Sequence, residues 1–235
     1  MRTTLLALLM LVGCGGGDDK GLTIYAAASL TEVFQRLEPE ARFNFAGSDE
    51  LAGQLREGAR ADVYAAASPK YPDELYACGV IERPRTFATN RLVLIVPRDN
   101  PAGIESIDDL AESGIKLVVG AEGVPIGDYT RAVLHGLGRL QVLEQVVSEE
   151  DDVKGVVGKV ALGEADAGFV YATDVKPVAD EVRSIDLPAE AEADVLYPVA
   201  IVADAEHRAE AQRFVERLLG ADGRRALRAA GFGLP

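Results

Sequence analysis

The sequence predicts an α/β protein of two lobes, each built on a mainly parallel sheet flanked by helices. From Leu22 onward, short apolar runs alternate with amphipathic segments, and this alternation is typical of parallel strands joined by helical crossovers. Two long apolar runs, residues 91–97 and 197–202, are bounded by polar or proline-containing segments. We expect these two strands to form the hinge between the lobes. A single doubly wound sheet is the alternative.

The predicted elements follow in chain order. Strands are expected over 22–28, 41–46 and 62–66, alternating with helices over 30–37, 51–58 and a segment that reaches residue 76. After the strand 91–97, the pattern predicts a helix near 107–112, a strand over 116–120, helices at about 127–137 and 153–163, and a strand over 166–171. The strand 197–202 and a helix over 205–219 complete the series. Lobe 1 is therefore expected to comprise residues 22–95 and 200–235, and lobe 2 residues 96–199.

Residues 1–14 have the features of an export signal. Arg2 precedes an apolar run over 5–12, which is much shorter than the roughly 20 residues that a membrane-spanning helix needs. The run ends in Leu-Val-Gly-Cys, which resembles the lipobox of bacterial lipoproteins, where the peptide is cut before the cysteine and the thiol carries a lipid. We expect Cys14 to anchor the exported chain to a bacterial membrane, facing the periplasm or the cell exterior, with residues 15–21 as a flexible linker. An ordinary secretory signal is the alternative.

The charge balance excludes some classes of ligand. The chain has 24 Lys and Arg against 38 Asp and Glu, a formal net charge of −14, which argues against nucleic-acid binding because phosphate contacts need a basic surface. The same charge argues at first against an anionic ligand. However, the long-range field of a protein is screened beyond about 8 Å at physiological salt. A few oriented donors inside a closed cleft can therefore still bind an anion.

The residue types that carry catalysis are scarce. His135 and His207 are the two histidines, and each lies in a helical pattern without a carboxylate or cysteine at metal-ligand spacing. The sequence has no nucleophile elbow, Walker loop, zinc-protease motif or Cys-x-x-Cys pair, so we expect neither an enzyme nor a cofactor. A secreted hydrolase with Ser29 as nucleophile is a remote alternative, and an effector-binding sensor domain is another. If Cys14 carries a lipid, Cys78 has no disulfide partner, and we expect it to be a buried structural thiol.

Four predicted helices begin at positions suited to binding an anion. Ser29 and Ser48 each follow a strand, Pro125-Ile126-Gly127 opens a helix of the second lobe, and Asp152-Val153 opens the next. The carboxyl ends of strands line the ligand crevice in open α/β sheets, and helix N-termini there offer free N–H groups and about half a unit of positive charge. Taken singly, each position is also explained by helix capping or turn chemistry.

The same positions belong to motifs that extend over most of the chain. The most specific, taken together, are Ala-Ala-Ala-Ser-Leu-Thr at 26–31 and the Gly-Phe-Val-Tyr that ends Ala-Asp-Ala-Gly-Phe-Val-Tyr at 165–171. Phe-Ala-Gly-Ser at 45–48 is part of the same series. Further motifs lie at 51–55, 61–66, 90–94, 124–129, 150–155, 197–200 and 231–232. In this order and spacing they resemble the molybdate-binding proteins of bacterial ABC importers, from residue 22 to residue 234.

This resemblance implies a type II periplasmic-binding-protein fold with an oxyanion site between the lobes. Ser29 and Ser48 would supply hydroxyl and amide donors, Ile126 and Val153 backbone amides, and Tyr171 its phenol; for Tyr171 the alternative is a core aromatic. The resemblance implies high-affinity binding of molybdate, and of tungstate as a second ligand of nearly equal size. It also implies a monomer that delivers the anion to ABC permease subunits of the inner membrane. A receptor for another tetrahedral oxyanion, such as sulfate, is the alternative.

Two consequences of such a site can be stated from the residues. A site made only of N–H and O–H donors discriminates against protonated oxyanions, because the O–H of the anion finds no acceptor there. Asp49, directly after Ser48, departs from this donor set, and its carboxylate would cost energy if it faced a bound dianion. We therefore expect Asp49 to point outward at the start of its helix.

Overall fold

A computed structural model describes residues 21–112, 114–191 and 193–235 of the protein. The predicted export signal, Cys14 and residues 15–20 of the predicted linker lie outside the described residues. Among the residues that the structure describes, no helix combines the length and apolar character that crossing a bilayer requires.

The described residues form two five-stranded sheets with helices packed on them. The strands are β1 (Thr23–Ala27), β2 (Arg42–Ala46), β3 (Val63–Ala65), β4 (Arg85–Asn90), β5 (Leu92–Pro97), β6 (Leu117–Gly120), β7 (Val146–Glu150), β8 (Ala167–Tyr171), β9 (Val182–Asp186) and β10 (Val195–Ile201). The α-helices are α1 (Thr31–Leu37), α2 (Ser48–Arg56), α3 (Lys70–Ala77), α4 (Pro125–Gly136), α5 (Val153–Ala161), α6 (Ala172–Val175), α7 (Arg208–Leu219) and α8 (Ala221–Ala230). Short 3₁₀ helices span Ala28–Leu30, Ile107–Ala111, Leu140–Gln145, Lys176–Val178 and Ala189–Ala191.

The predicted two-lobed α/β fold is confirmed, although the sheets are mixed. Lobe 1 is built on the strand order β2-β1-β3-β10-β4 and lobe 2 on the order β7-β6-β8-β5-β9. In each sheet four of the five strands run in the same direction and one strand, β10 in lobe 1 or β5 in lobe 2, runs against them, so the expected mainly parallel sheets are confirmed. In each sheet the strand beside the three adjacent parallel strands is the first one formed after the chain crosses from the other lobe. This strand is β10 in lobe 1 and β5 in lobe 2. These arriving strands run against the parallel set, and their direction could not be read from local pattern.

The chain passes between the lobes at two places. Asn90 ends β4 in the first sheet and Leu92 begins β5 in the second, so the outward crossing is at Arg91. The return crossing lies between β9 and β10, after Asp186 and before Val195. Both crossings precede the boundaries expected at 95 and 200. All six residues of β5 are buried, and a continuous apolar strand does not reveal which of two sheets it joins.

The lobes share a continuous apolar core at their interface. The largest apolar cluster includes Ile24 and Phe34 of lobe 1 together with Val156 and Tyr171 of lobe 2. Of two smaller clusters, one consists of lobe 1 residues and the other of lobe 2 residues. Because these two lobes pack directly against each other, the ends of their strands face one another across a narrow seam.

Cys78 differs from its predicted environment. It is exposed and unpaired rather than buried. The residue directly follows α3, where the chain turns through Gly79 with a φ of 74°, and Leu75 is the residue of this turn that packs in the core. The expected buried thiol is therefore wrong, because Leu75 occupies the core-facing position at this end of α3 and Cys78 lies on the exposed side.

Candidate ligand-binding site

A small cavity lies in the seam between the two lobes, and all five predicted site residues line it. Ser29 and Ser48 approach from lobe 1, and Ile126, Val153 and Tyr171 from lobe 2. Each of the five is between 1% and 4% exposed. The volume that the centre of a water molecule could occupy inside the cavity is about 20 Å³. One buried water needs roughly 10–15 Å³ on the same measure. The cavity therefore fits a compact group and excludes an extended organic ligand in this conformation.

The lobe 1 wall is made where β1 and β2 end. β1 stops at Ala27 and leads into the 3₁₀ turn that holds Ser29, while β2 stops at Ala46 and Ser48 is the first residue of α2. A Cβ atom on Gly47 would lie 2.5 Å from the carbonyl oxygen of Asp151 in lobe 2. A glycine at this position therefore allows the two lobes to approach closely enough to enclose the cavity.

The lobe 2 wall is made by the N-termini of α4 and α5. Val124 precedes α4 and gives it no side-chain cap, and Pro125 has no N–H, so the amide of Ile126 is the first donor of this helix. In α5, the Asp152 carboxylate accepts the amides of Lys154 at 2.7 Å and Gly155 at 3.0 Å. This cap does not use the amide of Val153. Both helices thus direct an uncapped first amide and a partial positive charge at the cavity.

The Ser48 hydroxyl is prepared to donate a hydrogen bond. Its Oγ accepts the amide of Ala67 at 3.1 Å, so its own proton remains for a group in the cavity. Tyr64 Oη donates to the Ser48 carbonyl at 2.6 Å and holds the start of α2 against β3. Ser29 Oγ lies 3.0 Å from Tyr197 Oη, and both hydroxyl groups are buried.

The Tyr171 phenol lines the cavity and has no protein partner. Its Oη is buried and makes no hydrogen bond to any of the described residues. Burial raises the pKa of Tyr171 well above its ordinary value, so the phenol stays protonated and remains a donor. A buried polar group left unpaired costs about 1–3 kcal/mol. This orphaned donor indicates that something occupies the cavity when the protein functions.

The charges closest to the cavity are carboxylates that are turned away from it. Of the residues that the structure describes, Asp152 is the one ionisable acid or base other than tyrosine that lines it, and the Asp152 carboxylate faces the amides of α5. Asp49 does not line the cavity. It is partly buried in the seam rather than exposed, with Oδ1 lacking a hydrogen bond within the described residues. Burial raises the pKa of Asp49, and Asp128 and Asp151 add to the rise. Asp49 therefore does not face the cavity, although lobe 2 covers the first turn of α2 and leaves the residue partly buried instead of fully exposed.

Several contacts that the sequence did not reveal bridge the lobes around the cavity. Lys154 Nζ lies 2.9 Å from Glu32 Oε1 of lobe 1 and 3.3 Å from Asp174 Oδ1 of lobe 2. Lys70 of lobe 1 pairs with Asp128 of lobe 2 at 3.0 Å, and Tyr71 Oη donates to the carbonyl of Gly123. These contacts surround the seam, so the described conformation is a closed one. The sequence did offer one indication of the Glu32–Lys154 contact. Glu32 is close in sequence to Ser29, and Lys154 directly follows Val153.

The residues needed for the alternative hydrolase chemistry are not assembled at Ser29. The hydroxyl of Ser29 contacts Tyr197. His207 instead contacts the buried Asp62, with Nδ1 3.2 Å from Oδ2, and Asp62 also accepts the amides of Thr23 and His207. Within the described ranges, no group of three or more His, Cys, Asp or Glu residues could hold a metal ion.

Comparisons with known proteins match nearly the whole chain. Residues 22–233 match the family model of bacterial extracellular solute-binding proteins. The molybdate-binding protein ModA of Mycobacterium tuberculosis is 36% identical in a match covering 96% of this chain and 93% of that protein. YvgL of Bacillus subtilis, named as a candidate ABC transporter substrate-binding lipoprotein, is 30% identical over 97% of this chain and 95% of its own. The periplasmic molybdate-binding protein of Azotobacter vinelandii has the same fold, with a TM-score of 0.80 at 24% identity, covering 91% of this chain and 99% of that one.

Proposed function

Because this chain belongs to the family of bacterial extracellular solute-binding proteins, we propose that it binds molybdate between its lobes and delivers it to an ABC permease for import. The observation that carries the proposal is the orphaned phenol of Tyr171, which needs an acceptor in a cavity that both lobes also line with hydroxyl groups and helix starts. The hydroxyls of Ser29 and Ser48 and the amides of Ile126 and Val153 are the other donors. A tetrahedral oxyanion supplies acceptors in every direction.

The donor set suits a dianion without any cationic side chain. Oriented N–H and O–H dipoles in a dry site stabilise negative charge, and hydrogen bonds to a charged acceptor are about twice as strong as neutral ones. The N-termini of α2, α4 and α5 add partial positive charges of about half a unit each. The net charge of the whole protein therefore does not decide whether the anion binds. Tungstate, a tetrahedral dianion of nearly equal size, is the expected second ligand.

The proposed receptor works outside the cytoplasm and is tethered there. Family membership supports an exported protein, and the Leu-Val-Gly-Cys sequence supports lipidation at Cys14. The likeness to YvgL, named as a candidate lipoprotein, is in agreement. We propose that the lipid-anchored monomer captures the anion by hinge closure and presents it to the permease subunits.

A titration with four anions tests the ligand. We expect molybdate and tungstate to raise the melting temperature, because a ligand at 100 times its Kd stabilises the folded state by about 2.7 kcal/mol. Both should also give a measurable heat of binding in titration calorimetry. Sulfate and phosphate should bind much more weakly. A protein unmoved by molybdate at high micromolar concentration would refute the proposal, and a preference for sulfate would establish the alternative receptor.

Two tyrosine variants test the site itself. Tyr171→Phe removes the orphaned donor, and we expect molybdate affinity to fall about 10- to 100-fold, as for one hydrogen bond to a charged acceptor. Tyr129→Phe is the matched control, because its ring packs 6.5 Å from the ring of Tyr171 and the residue does not line the cavity. Equal affinities in the two variants would contradict the assignment of Tyr171.

A further inference from the structure

A chain of buried polar groups lies behind Ser29, at the place where β4 ends and the chain leaves lobe 1. Tyr197 in β10 is fully buried, and its Oη lies 3.0 Å from Ser29 Oγ and 3.4 Å from Asn90 Nδ2. Asn90 Nδ2 also donates to Thr173 Oγ1 at 2.9 Å. Of these residues, Ser29 alone lines the cavity. The others act on a ligand only through it.

The direction of the hydrogen bonds in this chain follows from Asn90. Its Oδ1 accepts the backbone N–H of Arg91 at 2.9 Å, which directs the NH₂ group at Tyr197 and Thr173. A flipped amide would set two donors against each other at Arg91. Tyr197 Oη therefore accepts from Asn90. Its own proton has Ser29 Oγ as its acceptor among the described residues, so Tyr197 donates and Ser29 accepts.

This direction fixes the role of the Ser29 hydroxyl. An oxygen that accepts the Tyr197 proton turns its own proton to the remaining side, which is the cavity. The Ser48 hydroxyl is fixed in the same way by the amide of Ala67, at 3.1 Å. Both serines thus present protons rather than lone pairs to the ligand. For Ser48 the fixing donor is a backbone amide, whereas for Ser29 it is a side chain that substitution can remove.

We propose that Tyr197, oriented by Asn90, is a specificity-determining residue that fixes Ser29 as a donor and so makes the cavity select fully deprotonated oxyanions over protonated ones. This inference rests on the proposed oxyanion-binding function. Without the Tyr197 hydroxyl, the Ser29 hydroxyl can rotate and accept a hydrogen bond from a protonated anion. Tyr197 is a positioning residue, because it contacts Ser29 and not the ligand.

Sulfate and hydrogen phosphate test this role, because at about pH 8 they share shape and charge and differ by one proton. Their affinities are measured by competition against bound molybdate in the wild type, in Tyr197→Phe and in Tyr64→Phe. We expect the ratio of sulfate to phosphate affinity to fall about tenfold in Tyr197→Phe, the effect of about one hydrogen bond. Tyr64→Phe is the matched control, because it removes an equally buried hydroxyl that bonds to the Ser48 carbonyl. Its ratio should stay within twofold of the wild type.

The outcomes separate the role of Tyr197 from the proposed function. Wild-type protein that does not bind molybdate refutes the proposed function before any variant is made. If the wild type binds molybdate and Tyr197→Phe weakens all anions equally or leaves the ratio unchanged, Tyr197 is merely structural and the inference is overturned. Should Tyr197→Phe fail to fold, Asn90→Leu replaces it. That variant frees Tyr197 to accept from Ser29 and should lower the same ratio, and an unchanged ratio there overturns the inference too.

Discussion

Asp174 is a fully buried carboxyl group beside the proposed binding site. It lies in α6, three residues after Tyr171, with Oδ1 3.3 Å from Lys154 Nζ, and neither carboxylate oxygen accepts a well-formed hydrogen bond within the described part of the chain. Burial raises the pKa of Asp174 to about 7, the charge of Lys154 opposes the rise, and Glu32 and Asp152 add to it. The group is therefore partly protonated near neutral pH, unlike an exposed carboxyl.

This environment predicts a loss of stability with rising pH. The pKa of Asp174 is raised from 3.8 to about 7, so the folded state binds more protons than the unfolded state between these values. Stability is then highest below this window and falls as pH rises through it. Between pH 5 and 8, we expect the free energy of unfolding of the wild type to fall by about 2 kcal/mol more than that of Asp174→Asn.

Urea denaturation at several pH values measures this difference. Asp73→Asn makes the same change at an exposed position in α3 and should follow the wild-type pH profile. If the Asp174→Asn and wild-type profiles run parallel, the buried carboxyl group does not titrate in this range and the prediction is wrong.

At the residue scale, the sequence predicted the residues that line the cavity but not those that support them. Four of these residues lie at predicted helix starts, where local sequence is informative: Ser29, Ser48, Ile126 and Val153. Tyr171 was placed beside them by the motifs alone. The partners of these residues are distant in the chain. Ser29 and Tyr197 are 168 residues apart, and Lys154 and Glu32 are 122 apart. No local pattern connects residues at such separations.

At the element scale, the start of α4 depends on one glycine. A Cβ atom on Gly127 would lie 2.1 Å from the carbonyl oxygen of Ala121 and 2.4 Å from that of Gly120. Only a residue without a side chain lets the first turn of α4 lie against the end of β6. The position of the Ile126 amide in the cavity follows from this close packing.

Gly127→Ala should therefore move the helix start and weaken both the fold and the site. We expect a loss of about 3 kcal/mol in the free energy of unfolding, as for other overpacked positions, and weaker molybdate binding. Gly136→Ala is the matched control in the same helix, because nothing lies within 4 Å of its added Cβ. It should stabilise the protein by up to about 1 kcal/mol. Similar denaturation midpoints for the two variants would contradict the packing argument.

The elements that the sequence missed share a polar composition. β4, β7 and β9 read Arg-Thr-Phe-Ala-Thr-Asn, Val-Val-Ser-Glu-Glu and Val-Arg-Ser-Ile-Asp, and each lies at or near the edge of its sheet. Edge strands bury less surface and need fewer apolar residues. α8 was missed because it lacks a clear apolar face in the sequence. It has four arginine and aspartate residues, and Leu227 is its one large buried side chain. The apolar central strands and the helices on them were predicted, because burial forces their pattern.

At the scale of the whole molecule, capture requires the lobes to separate. Buried residues form most of the cavity wall, and the contacts of Lys70 with Asp128 and of Lys154 with Glu32 join the lobes beside it. We expect a ligand to enter when these contacts break and the two crossings, at Arg91 and between β9 and β10, flex. The sequence predicted two lobes and a hinge, but the closed arrangement depends on surface pairs that only the folded chain brings together.

An anion that approaches the open cleft meets the field of a protein with a net charge of −14. This repulsion acts during approach and is screened by salt, whereas the donors of the closed cavity act at contact. We therefore expect the association rate of molybdate to rise a few-fold between about 20 and 300 mM sodium chloride, with little change in the dissociation rate. Most receptors for charged ligands that rely on attractive steering show the opposite dependence.

Stopped-flow tyrosine fluorescence can follow the association, because the chain has seven tyrosines and no tryptophan and Tyr171 lies at the site. Sucrose at matched osmolarity is the control, since it changes water activity without screening charge. An association rate that falls with salt would mean that the open cleft carries a local positive field, from the three helix N-termini, strong enough to outweigh the acidic surface. A salt-independent rate would mean that lobe closure, and not approach of the anion, limits capture.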